Sequence, residues 1–165
     1  MAVSAPQDRL QPSLLDRLTD LEPEKATESR DSRVINLSRL REIIRRDLSW
    51  LLNSGNMESE IGLDDYPQAL NSVLNYGIRD VSGDYSTADR AFRIQSSIRK
   101  AVEQFEPRID EGTLEVVIQE DDTSRASTIS FGIHAEMWAE PVPIELYLRS
   151  EVDVTTGHVE LKEEG

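Results

Sequence analysis

The period of the hydrophobic pattern changes once along this chain, at Pro107, and that change fixes what it can fold into. Before it, apolar residues recur with helical spacing; after it, they alternate. Residues 36–54, NLSRLREIIRRDLSWLLNS, place Leu40, Ile43, Ile44, Leu48, Leu51 and Leu52 on one helical face. The opposite side carries Arg39, Arg41, Arg45 and Arg46. Asn36 or Ser38 can cap this helix, and Asn53-Ser54-Gly55 ends it. NMESEIGLDD reads as a loop. It leads to a short helix from about Pro67, with Gly77 as its C-terminal cap. IRDVSGDYS is irregular. A second long helix starts at about Thr87, where Ser86 and Asp89 resemble a capping box. Its expected buried stripe is Phe92, Ile94, Ile98, Ala101, Val102 and Phe105.

Beyond Pro107, LEVVIQE, STISFGIHAEMWA, IELYLRSEVD and VELK read as four strands. The turn DDTSR, the interruption EPVP and the hairpin turn VTTGH separate them. Helices followed by these strands predict an α+β fold, with the helices packed against a small, mainly antiparallel four-stranded sheet. That domain spans residues 34–165. Residues 1–33, rich in Ser, Pro, Asp and Glu, read as a flexible arm. Within the arm, PSLLDRLTDLEP sets Leu14, Leu15, Leu18 and Leu21 along one side of a short helix that Ser13 can cap. So short a helix is marginal alone. Its leucines are therefore expected to dock, either on their own domain or on a partner.

Composition narrows the function. The 165 residues suffice for one domain with a real core. No apolar run approaches the roughly 20 residues that cross a bilayer. MAVSAPQDRL has no basic region followed by an apolar stretch, so the cytoplasm is the expected compartment. The chain has no cysteine, which removes disulfides, thiolate nucleophiles and cysteine zinc sites together. Its net charge is −14, and residues 111–165 hold 3 basic against 13 acidic side chains. Such a surface repels phosphate backbones, which argues against nucleic acid and leaves a solvated face or a basic protein partner.

No cofactor or catalytic motif appears. His134 and His158 lack metal-ligand spacing, and His134 falls on the strand face opposite Ile133 and Ala135. Trp50 and Trp138 read as core or half-core residues, and Gly77 and Gly83 as a cap and a turn. The corner FEPRI, residues 105–109, admits three readings. Glu106 could be a general acid, as in a glycoside hydrolase. That role needs an apolar pocket that keeps the carboxyl protonated, and an arginine two residues away acts in the opposite direction. Alternatively, Pro107 turns the chain and Glu106 and Arg108 clamp the corner. Thirdly, the corner presents Arg108 to a partner's carboxylate or carbonyls. Local chemistry leaves clamp and contact open.

IRKAVEQFEPRIDEGTLEVVI resembles the signature of TssE, the baseplate-subunit family of the bacterial type VI secretion system. It is equally similar to the related baseplate-wedge proteins of contractile phage tails. The likeness extends to RRDLSWLLNS, SVLNYGIRDVSG and DVTTGHVEL, and to PSLLDRLTD near the start. It implies a non-enzymatic, cytoplasmic assembly protein without cofactors. Its implied partners are the baseplate proteins TssF, TssG and TssK, with a part in starting the sheath of TssB and TssC. It also ties Glu106, Pro107 and Arg108 to contacts within the baseplate. A lysozyme-like peptidoglycan hydrolase is the alternative. Two expectations go with the partner reading: Leu14, Leu15 and Leu18 dock on a partner, and strands around 128–152 template the sheath by strand addition.

Overall fold

In the computed structural model, which describes residues 13–20, 23–24, 37–80, 87–119, 127–137 and 143–163, the change of period is a change of layer. Four α-helices come first: α1 (Leu14–Leu18), α2 (Leu37–Leu52), α3 (Pro67–Leu70) and α4 (Thr87–Phe105). Four strands follow: β1 (Glu115–Gln119), β2 (Thr128–Met137), β3 (Ile144–Asp153) and β4 (Val159–Glu163). The strands form one antiparallel meander in the order β1-β2-β3-β4. The α+β expectation is met.

All six residues of the α2 stripe are buried. Five of them, Leu40, Ile44, Leu48, Leu51 and Leu52, join Ile94, Ile98, Ala101 and Val102 of α4 and the alternating face of the sheet in one core. On that face Val116, Ile133 and Leu148 lie side by side across three strands. Burying each such aliphatic side chain contributes about 1.5–3 kcal/mol. Phe92 departs from the expected stripe and is 67% exposed. At about 100° per residue, position 92 is rotated off the line through Ala91, Ile94, Ile98 and Ala101. Trp50 also lies outside the core, half-exposed, with the Arg46 guanidinium 4.9 Å from its ring centroid. Ser38 falls inside the first turn of α2 rather than before it. Asn36, Gly83, Ser86, Trp138, Leu21 and the DDTSR turn lie outside the described residues.

Gly77 does not cap α3, which stops at Leu70; it follows Tyr76, the C-cap of the 3-10 turn Val73–Asn75. Its φ of +122° lets the chain pass Ser54, where an added Cβ would lie 2.2 Å from the Ser54 carbonyl oxygen. The outer face of the sheet carries polar side chains, including Glu136 directly opposite Glu145, and His134 edge-on to Tyr147.

The expectation of strand addition along 128–152 needs correction. Those residues form β2 and β3, the two central strands; the edges are β1 and β4. Each edge also meets a side-chain amide. Gln95 Nε2 donates to Val116 O at 2.6 Å on β1. On β4, Asn53 pairs with Val159 as a neighbouring strand would: Nδ2 donates to its carbonyl at 2.8 Å, and Oδ1 accepts its N–H at 3.0 Å.

Candidate partner-contact site

The helix before the corner ends where Pro107 cannot continue it. Glu106 N–H still reaches Val102 O at 2.9 Å, and Ile109 N–H then closes a turn onto Glu106 O at 3.1 Å. Ile109 bridges to Met137, and Asp110 N–H donates to Glu136 O at 2.9 Å. The corner is thus fastened to the end of β2 before the chain enters β1.

Glu106 is buried, with its side chain only 5% exposed. A buried carboxylate must be paired. Arg108 supplies that pairing from its backbone N–H at 3.1 Å and from Nε at 2.6 Å, both to Oε1, and from Nη2 to Oε2. The same Nη2 donates to Asp47 Oδ2 at 2.7 Å, joining the corner to α2. Asp47 Oδ1 accepts from Arg46 Nη2 at 2.7 Å and from Nε at 2.9 Å. Arg46 in turn grips Asp16 of α1 with two hydrogen bonds, Nη1 to Oδ1 at 2.7 Å and Nη2 to Oδ2 at 3.0 Å. Ser13 caps α1 and bonds the same carboxylate. Signs therefore alternate along one line: Glu106, Arg108, Asp47, Arg46, Asp16.

Protonation follows from this pairing. Burial works to lower the pKa of Arg108, but the hydrogen bonds and charges of Glu106 and Asp47 outweigh it and hold the guanidinium above its ordinary value. The hydrogen bonds from Arg46 hold the Asp16 carboxyl down at about 2, against the opposing effect of its partial burial. A cleft of about 290 Å³ opens beside the line. Leu51, Tyr76, Phe105 and Pro107 form its apolar side, and Ser13, Asp47 and Arg108 border it. Tyr76 and Phe105 meet edge to face at 5.3 Å.

The structure brings two of the expected features together. Glu106, Pro107 and Arg108 form one clasped corner, and α1 is anchored to the same network. The leucines of α1 take no part in that anchoring: Leu14, Leu15 and Leu18 are 70%, 47% and 75% exposed. Charge holds this helix while its apolar side faces out. Sequence reasoning missed Asp47 and Asp16, and read Arg46 only as surface charge. The available signal was Asp47 itself, an acid that follows Arg45 and Arg46 and stands next to buried Leu48.

No group of three or more His, Asp or Glu residues able to hold a metal occurs among the described residues. Among them, too, no helix is long and apolar enough to cross a membrane. A chain with α2 and α4 packed on one face of a β-meander, and a Glu-Pro-Arg corner joining the layers, meets the family model for baseplate wedge protein gp25, which matches residues 38–142. The chain belongs to that family of structural baseplate proteins. It is also the family of TssE, in keeping with the likeness read from FEPR and its flanks. Neither among curated proteins nor among solved structures does any match reach significance.

Proposed function

We propose that the chain is a TssE-type baseplate subunit of a type VI secretion machine, working in the cytoplasm without catalysis or cofactor. It joins wedge complexes containing TssF, TssG and TssK and helps start the sheath of TssB and TssC. The observation that carries this reading is the clasped Glu106-Pro107-Arg108 corner within a gp25-family domain. Glu106 sets the corner from inside. Pro107, exposed, and Arg108, 28% exposed, form the surface a wedge partner meets. The outward leucines Leu14, Leu15 and Leu18 give the partner a second, apolar foothold. Both oxygens of Glu106 are committed to Arg108, which supports a structural rather than an acid–base role. Strand addition, if the sheath uses it, falls to the edges β1 and β4, where Asn53 and Gln95 limit the backbone on offer.

Co-purification from a bacterium expressing the neighbouring baseplate genes tests this. Wild type is expected to bring down TssF- and TssG-like proteins. Arg108→Ala, shown folded by circular dichroism, is expected to lose them. Binding by both would reduce the corner to a clasp, and binding by neither would overturn the baseplate reading.

A further inference from the structure

Residues 56–77 form a closed excursion away from the helix–sheet body. Gly55 and Ile78 pair where it leaves and returns, with Asn56 N–H on Ile78 O at 3.0 Å and Ile78 N–H on Ser54 O at 2.9 Å. Its interior is organised by a polar residue. Asn75, 2% exposed, accepts the Glu58 N–H at 2.9 Å and donates to Leu70 O at 3.1 Å. Two side chains of α4 hold it from below: Lys100 reaches Glu58 at 2.8 Å, and Gln104 reaches Leu70 O at 3.1 Å.

With Asn75 and Leu63 inside, most of the large apolar side chains point out. Met57, Ile61, Tyr66, Val73 and Leu74 are 36%, 55%, 64%, 81% and 60% exposed. Single exposed apolar residues are ordinary, but five within one hydrogen-bonded unit of 22 residues are a concentration that calls for a partner. The 3-10 turns Met57–Ser59 and Val73–Asn75 that carry three of them are joined through the Glu58–Asn75 bond. The excursion is fixed before any partner arrives, so little ordering opposes binding. Its charges are all of one sign: Glu58, Glu60, Asp64 and Asp65, with no Lys or Arg between residues 56 and 77.

We infer that this excursion is a docking surface, separate from the Glu-Pro-Arg corner, for a protein segment that carries apolar side chains flanked by Lys or Arg. The apolar residues supply the area, and the acids select the partner's charge and speed its approach. A second copy of the chain fits poorly, since its net charge is −14.

A photo-crosslinking phenylalanine analogue placed at Leu74, in the full-length chain in its native bacterium, tests this. Crosslinks are expected on one segment rich in Lys or Arg among apolar residues. A synthetic peptide of that segment should then bind the purified chain. Val73→Glu/Leu74→Glu, or separately Glu60→Lys/Asp64→Lys/Asp65→Lys, should weaken it at least about tenfold. Both sets lie on exposed positions; should the first fail to fold, the charge reversal decides alone. Crosslinks that do not exceed those from a probe on the outer sheet face, that fall on a second copy, on this chain's own N-terminal residues or on an acidic segment, or a peptide indifferent to the variants, would overturn the proposal.

Discussion

Arg108 Nη2 lies 2.7 Å from Asp47 Oδ2, although 61 positions separate the two residues in the chain. That bond makes the corner more than a local turn. Glu106 and Arg108 could pair within any bend of this length, but Asp47 fastens the pair to the face of α2 and, through Arg46, to α1. The position of α1 is thereby linked to the corner through side chains alone.

Arg108→Ala removes the partner of a carboxylate that is only 5% exposed. The expected loss is about 2–4 kcal/mol, because the buried charge of Glu106 is left without its cation. Glu106→Gln added to Arg108→Ala should recover part of that loss, since a neutral amide needs no counter-charge. Urea unfolding of Arg108→Ala, Glu106→Gln and the double variant measures it; strictly additive effects would contradict the pairing.

Lowering the pH should release α1 before the domain unfolds. The folded-state pKa of Asp16 is depressed from 3.8 to about 2. Its contribution is therefore complete above the unfolded value and is lost as the pH falls from about 4 towards 2. Allowing for screening at this surface site, about 1 kcal/mol is at stake. Trp50 fluorescence can follow the release, because Arg46 lies over that ring. Asp16→Asn should abolish the transition.

Asn53→Ala should cost about 1–2 kcal/mol through loss of two hydrogen bonds to Val159. The Val159 amide should also exchange faster with solvent. Asn53→Asp keeps an acceptor for the Val159 N–H but sets a carboxylate oxygen against the carbonyls of Val159 and Ser49, and should be no more stable than Asn53→Ala. Hydrogen exchange followed by NMR provides the readout.

Gly77→Ala should destabilise the domain by about 2 kcal/mol or more, because it combines strain at positive φ with a backbone collision at Ser54. Thermal unfolding measures it. A melting temperature equal to wild type would show that the chain can pass Ser54 by another route.

Most of the fold was legible because each element carries a clean period. Ile144–Asp153 was bounded to the residue by EPVP before it and VTTGH after it, and α4 ended at Phe105 because Pro107 allowed little else. The failures came where a signal was non-local. Phe92 is hydrophobic enough for the core, but its helical angle puts it outside. The edge strands could not be told from the central ones, since strand order is a property of pairing and not of composition. Of the site, Glu106, Pro107 and Arg108 were visible as an unusual trio at a change of period. Asp47 and Asp16 were not, because their meaning lies in contacts across 61 and 30 residues.

The bond between Asn53 and Val159 spans 106 residues, from the end of α2 to the first residue of the last strand. The four strands can find one another in order, each beside its predecessor, with short loops to close. Helix α2 has no such local partner for Asn53. During synthesis α2 can meet α4 first, but the part of its surface that β4 covers must wait until residue 159 has been made. Between those two events that apolar surface of α2 is open to aggregation and to chaperones, and the interval ends when β4 arrives.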